Sequence, residues 1–138
     1  MLNILVVDAD AQTPPDTLSR IMEGNGHRIR VARSGKEAMN CFLGDEYDVV
    51  LLDMFLPDCM GYDLIPEFRK KKSDIRIISM TVFNTREIER KNRLLGITYY
   101  MSKPYSFNEI SSLIDHISEQ IKKEASSNSM MLNQLKGA

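Results

Sequence analysis

Short apolar runs alternate along the chain with longer stretches that carry apolar residues on one helical face. Residues 2–7, 28–32, 47–52, 75–80 and 98–101 read as strands. Runs this brief and this rich in Val, Ile and Leu suit parallel strands buried on both sides. Thr13-Pro14-Pro15 reads as an N-cap followed by first-turn prolines, opening a helix to about Glu23 that Gly24 and Gly26 stop. Ser34-Gly35-Lys36-Glu37 has the form of a capping box, which places a helix over residues 35–43 and its end at Gly44. A loop with Leu56-Pro57 and Gly61 leads to a helix near residues 62–71, where the basic run 69–72 complements the helix dipole. Asn84-x-x-Glu87 caps a helix that runs to Leu95 and ends at Gly96. Ser106-x-x-Glu109 opens another with Ile110, Leu113, Ile114, Ile117 and Ile121 on one face. The order is (βα)5. Right-handed crossovers then predict an α/β fold, a doubly wound parallel five-stranded sheet in the flavodoxin-like order 2-1-3-4-5 with helices on both faces.

Length and composition narrow this further. The 138 residues, 43% of them hydrophobic, suit one compact domain with a packed core. We place that domain at residues 1–122. The shift to Lys-Lys-Glu-Ala-Ser-Ser-Asn-Ser from Lys122 marks 123–138 as a polar C-terminal tail or a helix extension or linker, with the tail favoured. A net charge of −1 gives no electrostatic case for nucleic acid or an anionic membrane. Cys41 and Cys59 have neither zinc spacing nor the look of a disulfide framework. No signal-peptide pattern and no apolar stretch near the ~20 residues of a membrane helix is present, so the expected location is cytoplasmic. His27 and His116 lack ligand-like neighbours and are expected at the surface. The basic residues Arg86, Arg90, Lys91 and Arg93, interleaved with Glu87 and Glu89, read as a solvated face.

The chemistry lies where the apolar runs stop. Four of them end on a polar residue suited to phosphate: Asp8, Asp53, Thr81 and Lys103, the last followed by Pro104. In an open α/β sheet the ligand crevice lies outside the carboxyl ends of the strands, and the order 2-1-3-4-5 makes Asp8 and Asp53 neighbours there. Two carboxylates at short range raise each other's proton affinity unless a cation sits between them. Lys103 is one such cation and a divalent metal another. Oxygen ligands at an open rim suit Mg2+, completed by water and phosphate. Asp53 could then attack phosphorus while Lys103 and Thr81 bind the phosphoryl oxygens.

Residues 3–8 (Asn-Ile-Leu-Val-Val-Asp), residues 53–61 (Asp-Met-Phe-Leu-Pro-Asp-Cys-Met-Gly), Thr81 and Lys103-Pro104-Tyr105 together resemble the receiver domain of bacterial two-component response regulators. The resemblance spans residues 2 to 121. It implies that Asp53 is the phosphoacceptor for a histidine kinase or phosphotransfer protein. It also implies that Asp8, Asp53 and the Phe55 main-chain carbonyl hold Mg2+, with Asp10 a further candidate. Thr81 would be the switch hydroxyl, Lys103 the phosphate-binding ammonium, and Tyr100 the aromatic switch, a role for which Tyr99 competes. Pro104 would follow a cis peptide bond, and Gly61 would close the loop after the acceptor. Such a chain catalyses only its own phosphoryl transfer and dephosphorylation and is not otherwise an enzyme. Its output would pass to a protein target or to an output domain that follows, and a homodimer is a further option. No helix-turn-helix follows Ile121, so nucleic acid is not an expected partner of this domain.

Two positions depart from the family pattern. Ala9 stands where receivers usually carry a second acid, which predicts weaker Mg2+ binding. Val82 follows the switch Thr where a small residue is usual. With Phe55 and Phe83 it predicts a slowly hydrolysing aspartyl phosphate. These departures motivate an alternative, a pseudo-receiver that binds partners without phosphorylation. Val6-Val7-Asp8-Ala9-Asp10 also imitates the nucleophile motif of haloacid-dehalogenase phosphohydrolases. Gln12 and the lack of room for a cap domain argue against that.

Overall fold

A computed structural model describes residues 1–9, 20, 22–103 and 106–136, with 132–136 described by backbone alone. It forms two compact units, Met1–Tyr105 and Ser106–Ala138. The first holds strands β1 (Asn3–Val7), β2 (Arg28–Ala32), β3 (Val49–Asp53), β4 (Arg76–Thr81) and β5 (Tyr99–Ser102). Its helices are α1 (Gly35–Gly44), α2 (Ile65–Lys71), preceded by a 3-10 turn at Gly61–Leu64, and α3 (Arg86–Leu94). The strands form one all-parallel sheet in the order β2-β1-β3-β4-β5, as the alternation of elements predicted. The first predicted helix falls mostly on residues 10–19 and 21, outside the described residues. Arg20 and Met22–Gly24 are helical.

Register follows from burial. Leu5 and Val7 of β1, Val50 and Leu52 of β3 and Ile77 of β4 point to one face, where they join Ala38, Cys41 and Phe42 of α1 and Ile65 and Phe68 of α2 in a single apolar core. Ile88 and Leu95 pack against the same cluster. The alternate positions Ile4, Val6, Val49, Leu51, Ile78 and Met80 are also buried, which is why these strands read as continuous apolar runs.

Local chemistry fixes the ends. Ser34 caps α1 by accepting from the Glu37 amide at 3.1 Å, while Glu37 reaches back to the Arg33 amide, also at 3.1 Å, one residue short of a reciprocal box. The cap of α3 is Thr85, whose hydroxyl accepts from the Ile88 amide at 3.1 Å. The expected Asn84 is instead an acceptor for the Tyr100 hydroxyl at 2.9 Å. Gly96 ends α3 with φ +74, a conformation that side chains resist. The basic run after α2 does more than face a dipole. Lys71 donates to the carbonyls of Phe42 and Asp45, Lys72 to that of Tyr47, and Arg69 to that of Gly96. It ties the end of α2 to the end of α1 and to the turn after α3. His27 is buried, contrary to expectation, because its Nδ1 accepts the Leu2 amide at 3.0 Å.

The second unit is one helix, α4 (Phe107–Lys136), 30 residues and so about 45 Å long. Ser106 accepts from the Glu109 amide at its start, and Ile110, Ile114 and Ile117 are buried. Where the composition suggested a frayed tail after Lys122, the helix continues, with Met130 and Met131 exposed. No helix among the described residues is long and apolar enough to cross a membrane.

Phe68 lies fully buried with its ring 4.6 Å from that of Phe42. Phe68→Ala should therefore cost about 3–5 kcal/mol, read as a lower urea midpoint at unchanged slope. A loss below about 1 kcal/mol would show that α2 is not anchored by this contact.

Candidate functional site

Three of the four polar strand-end residues meet at one point. Val7 pairs with Leu52 across β1 and β3, so the next residues, Asp8 and Asp53, leave adjacent strands side by side. Lys103 leaves β5 with its amide bonded to the Thr81 carbonyl at 2.7 Å. Its side chain reaches over β4, and Nζ lies 2.8 Å from Asp8 Oδ2 and 3.0 Å from Asp53 Oδ2. All three side chains are buried, at 5% exposure for Lys103, 1% for Asp8 and 8% for Asp53. If all three are ionised, these side chains together carry a net charge of −1.

The electrostatics reflect that imbalance. Burial raises the Asp53 carboxyl above the usual aspartate value. The Lys103 charge and hydrogen bond pull it back, and the Asp8 charge adds to the rise. Burial works against the Lys103 ammonium, but the hydrogen bonds and charges of both carboxylates outweigh it and hold its pKa above the ordinary lysine value. Lys103 is thus firmly cationic, while Asp53 holds its charge less readily than a solvated carboxylate would.

The loop after β3 is shaped to present Asp53. Asp53 Oδ1 accepts the Phe55 amide at 3.3 Å, Phe55 bridges Met60, and the Leu56 amide donates to the Cys59 carbonyl at 3.2 Å. The Gly61 amide closes the loop on the Met54 carbonyl at 2.7 Å. A Cβ on Gly61 would lie 2.1 Å from the Asp53 carbonyl oxygen, so only glycine lets the chain pass. Asp58, not singled out from sequence, anchors the same loop to α1. Its carboxylate accepts the Gly35 and Lys36 amides at 2.8 and 2.9 Å, and these bonds hold its pKa below the usual aspartate value. Aspartate in the Pro57-Asp58 turn was the available signal.

The other predicted residues stand nearby but are engaged elsewhere. Thr81 ends β4 one position beyond the Asp53–Met80 pair, and its buried hydroxyl both donates to the Phe83 carbonyl at 3.0 Å and accepts the Phe83 amide at 3.1 Å. Tyr100 is half-buried beside α3. Burial and then the Glu89 charge raise its phenol, and Arg93 lowers it. Tyr99, the competing aromatic, pairs with Ile78 across β4 and β5. Asp10 and Pro104, the latter with its expected cis bond, lie outside the described residues. No group of three or more His, Cys, Asp or Glu placed to hold a metal ion occurs among the described residues. Among the described residues, the Asp8 and Asp53 carboxylates meet here and the Phe55 main chain adjoins Asp53. That set meets the small protein share an Mg2+ ion takes when water and phosphate complete its shell.

A model of the response regulator receiver domain matches residues 4–115. The chain belongs to that family. The response regulator SaeR of Staphylococcus aureus is 33% identical over 124 residues, covering 89% of this chain and 53% of the relative. This receiver chain therefore spans about half the length of the curated relatives it matches. A CheY-like receiver domain protein from Methanospirillum hungatei superposes with a TM-score of 0.81 at 23% identity, covering 89% of this chain and 98% of the other, and shows the shared fold. The response regulator TrrA of Thermotoga maritima, solved in complex with Mg2+-BeF, superposes with a TM-score of 0.73 at 29% identity, covering 85% of this chain and 99% of the other.

Gly61→Ala in this receiver domain should destabilise by about 1–3 kcal/mol and displace the amide resonances of Asp53 and Phe55. A stable variant with both resonances unmoved would show that the close pass at Asp53 does not shape the loop.

Proposed function

We propose that this receiver domain is a phosphorylation switch that accepts a phosphoryl group on Asp53 from a histidine kinase or phosphotransfer protein and in response alters a partner-binding face. The observation that carries the reading is the Lys103 ammonium held 2.8 Å from Asp8 and 3.0 Å from Asp53 at the carboxyl ends of the strands. In the transfer an Asp53 carboxylate oxygen bonds to phosphorus as the donor's P–N bond breaks, and the electron pair leaves on the histidine nitrogen. Lys103 is placed to turn from carboxylate to phosphoryl oxygens. Thr81 would do the same once its hydroxyl leaves Phe83. Asp8, Asp53 and the Phe55 carbonyl would hold Mg2+, which when bound neutralises charge on the transferring group. The binding of Mg2+-BeF by TrrA supports this part of the reading. Ala9 leaves fewer acidic ligands, so Mg2+ should bind weakly. The chain would act in the cytoplasm and catalyse nothing beyond its own phosphorylation and dephosphorylation. Its output would be a protein target or a further domain, and self-association through the switched face is part of the same reading.

Beryllofluoride with Mg2+ should shift the amide resonances of Asp53, Phe55 and Lys103, and Asp53→Asn should abolish the response. A wild-type protein silent up to tens of millimolar Mg2+ would favour the second reading, a phosphorylation-independent interaction module, which Ala9 motivates.

Phe55, Val82 and Phe83 are exposed apolar side chains close in sequence to Asp53 and Thr81. They offer no group to orient an attacking water, so the aspartyl phosphate should persist. Phe55→Asn should shorten its lifetime several-fold in a label-loss assay. Rapid loss in the wild type, unchanged by this substitution, would overturn the claim.

A further inference from the structure

Asn92 lies on α3 at a position the helix pattern reserves for an apolar residue, between Ile88 and Leu95 on the core-facing stripe, and is fully buried. Its amide is bonded to three residues. Its carbonyl oxygen accepts the Ser79 hydroxyl of β4 at 2.6 Å. Its nitrogen donates to the Met54 sulfur at 3.1 Å and to the Ile88 carbonyl at 2.8 Å. Both of its donor hydrogens are thereby used. Met54 directly follows Asp53, and Ser79 lies two residues before Thr81. One side chain on α3 therefore bonds to β4 and to the residue that follows Asp53 at the end of β3.

We propose that Asn92 is a positioning residue that couples the state of Asp53 to α3. The inference rests on the phosphoacceptor reading and adds the route by which the change leaves the site. Both Asn92 and Ser79 are fully buried, and a buried amide cannot lose its partners to water. A shift of the β3 end or the β4 end must therefore either carry Asn92 with it or leave polar atoms unpaired. Met54 is also held on its other side, since its carbonyl accepts the Gly61 amide that closes the acceptor loop at 2.7 Å. A rearrangement of that loop around a modified Asp53 thus bears on Asn92 directly. Asn92 in turn belongs to the helix whose exposed side carries Arg86 and Arg90, neither with an ion pair among the described residues, and the exposed Leu94. Coupling is reciprocal, so a partner seated on α3 would alter the readiness of Asp53.

The test replaces the polar pair by apolar groups of similar shape, Ser79→Ala with Asn92→Leu, so that no buried group is orphaned and the fold survives. Amide spectra of wild type and double variant are compared with and without beryllofluoride and Mg2+. In the wild type the Phe55 amide and those of Arg86–Leu94 should both move. In the double variant Phe55 should move as before, while the α3 shifts fall at least about twofold, the smallest effect expected of removing one coupling member. Equal α3 shifts in the two proteins would overturn the proposal, as would a wild type that responds at Phe55 and not along α3. A wild type silent at Phe55 as well would overturn the phosphoacceptor reading, and the relay with it. Merely structural loosening would lower the melting temperature while leaving the ratio of α3 to Phe55 shifts intact.

Discussion

A single ammonium, that of Lys103, sits between two carboxylates that could not otherwise be buried together. Asp8 and Asp53 leave neighbouring strands, and their desolvation and mutual repulsion would push one of them toward protonation. Lys103 comes from β5, on the far side of β4, to prevent this. Its position requires β3, β4 and β5 to be in register, because a slip of one residue would turn every side chain to the opposite face. The crevice and the core are therefore specified by the same pairing. Among these three side chains one cation faces two anions. Such a cluster favours additional positive charge. An aspartyl phosphate would deepen the deficit, which is why a divalent cation belongs in the reading of the site.

The elements around this cluster convert a strand end into a rigid loop. Gly61 passes within van der Waals contact of the Asp53 carbonyl, Asp58 pins the loop to the start of α1, and Met60 bridges back to Phe55. Each tie is local and cheap, and none touches the carboxylate's outer oxygen. Their joint effect is to limit what Asp53 can do to changes of charge and bonding. Rearrangement is passed to neighbours that have an alternative partner available. Thr81 is one of these, because its hydroxyl is held, among the described residues, by the backbone two residues on. Tyr100 is another, held through Asn84 at the mouth of α3.

Much of this was legible from residue order. Strands short and apolar enough to be buried on both faces, alternating with helices, read as parallel neighbours. Polar residues at their ends then have one place to meet, which located Asp8, Asp53 and Lys103 correctly. What escaped the sequence depended on tertiary partners. Asn84 and Thr85 are both good caps, and only the need of Tyr100 for an acceptor separates them. His27 looked like a surface residue because nothing local signals the Leu2 amide that buries it. The direction of the Thr81 hydroxyl is a rotamer choice that no pattern encodes. The polar residues after Lys122 have modest helix propensity, yet the helix continues through them. Asn92 left a readable trace, a polar residue on an apolar stripe, but the trace gains meaning only with Ser79 and Met54 beside it.

The two polar clusters of the first unit therefore belong to one design problem. The charged one lies at the carboxyl ends of the strands. The neutral one lies behind it on the core side of β3 and β4, joined to it through consecutive residues, Asp53 to Met54 and Ser79 to Thr81 by way of Met80. An apolar contact at Asn92 would tolerate small slips of the helix over the sheet, because dispersion is spread over many atoms and has little direction. Hydrogen bonds to a buried amide do not tolerate them. They restrict α3 to a few discrete placements on the two strands, and discrete placements are what a signal needs if a change of charge at Asp53 is to be read on the far side of a helix.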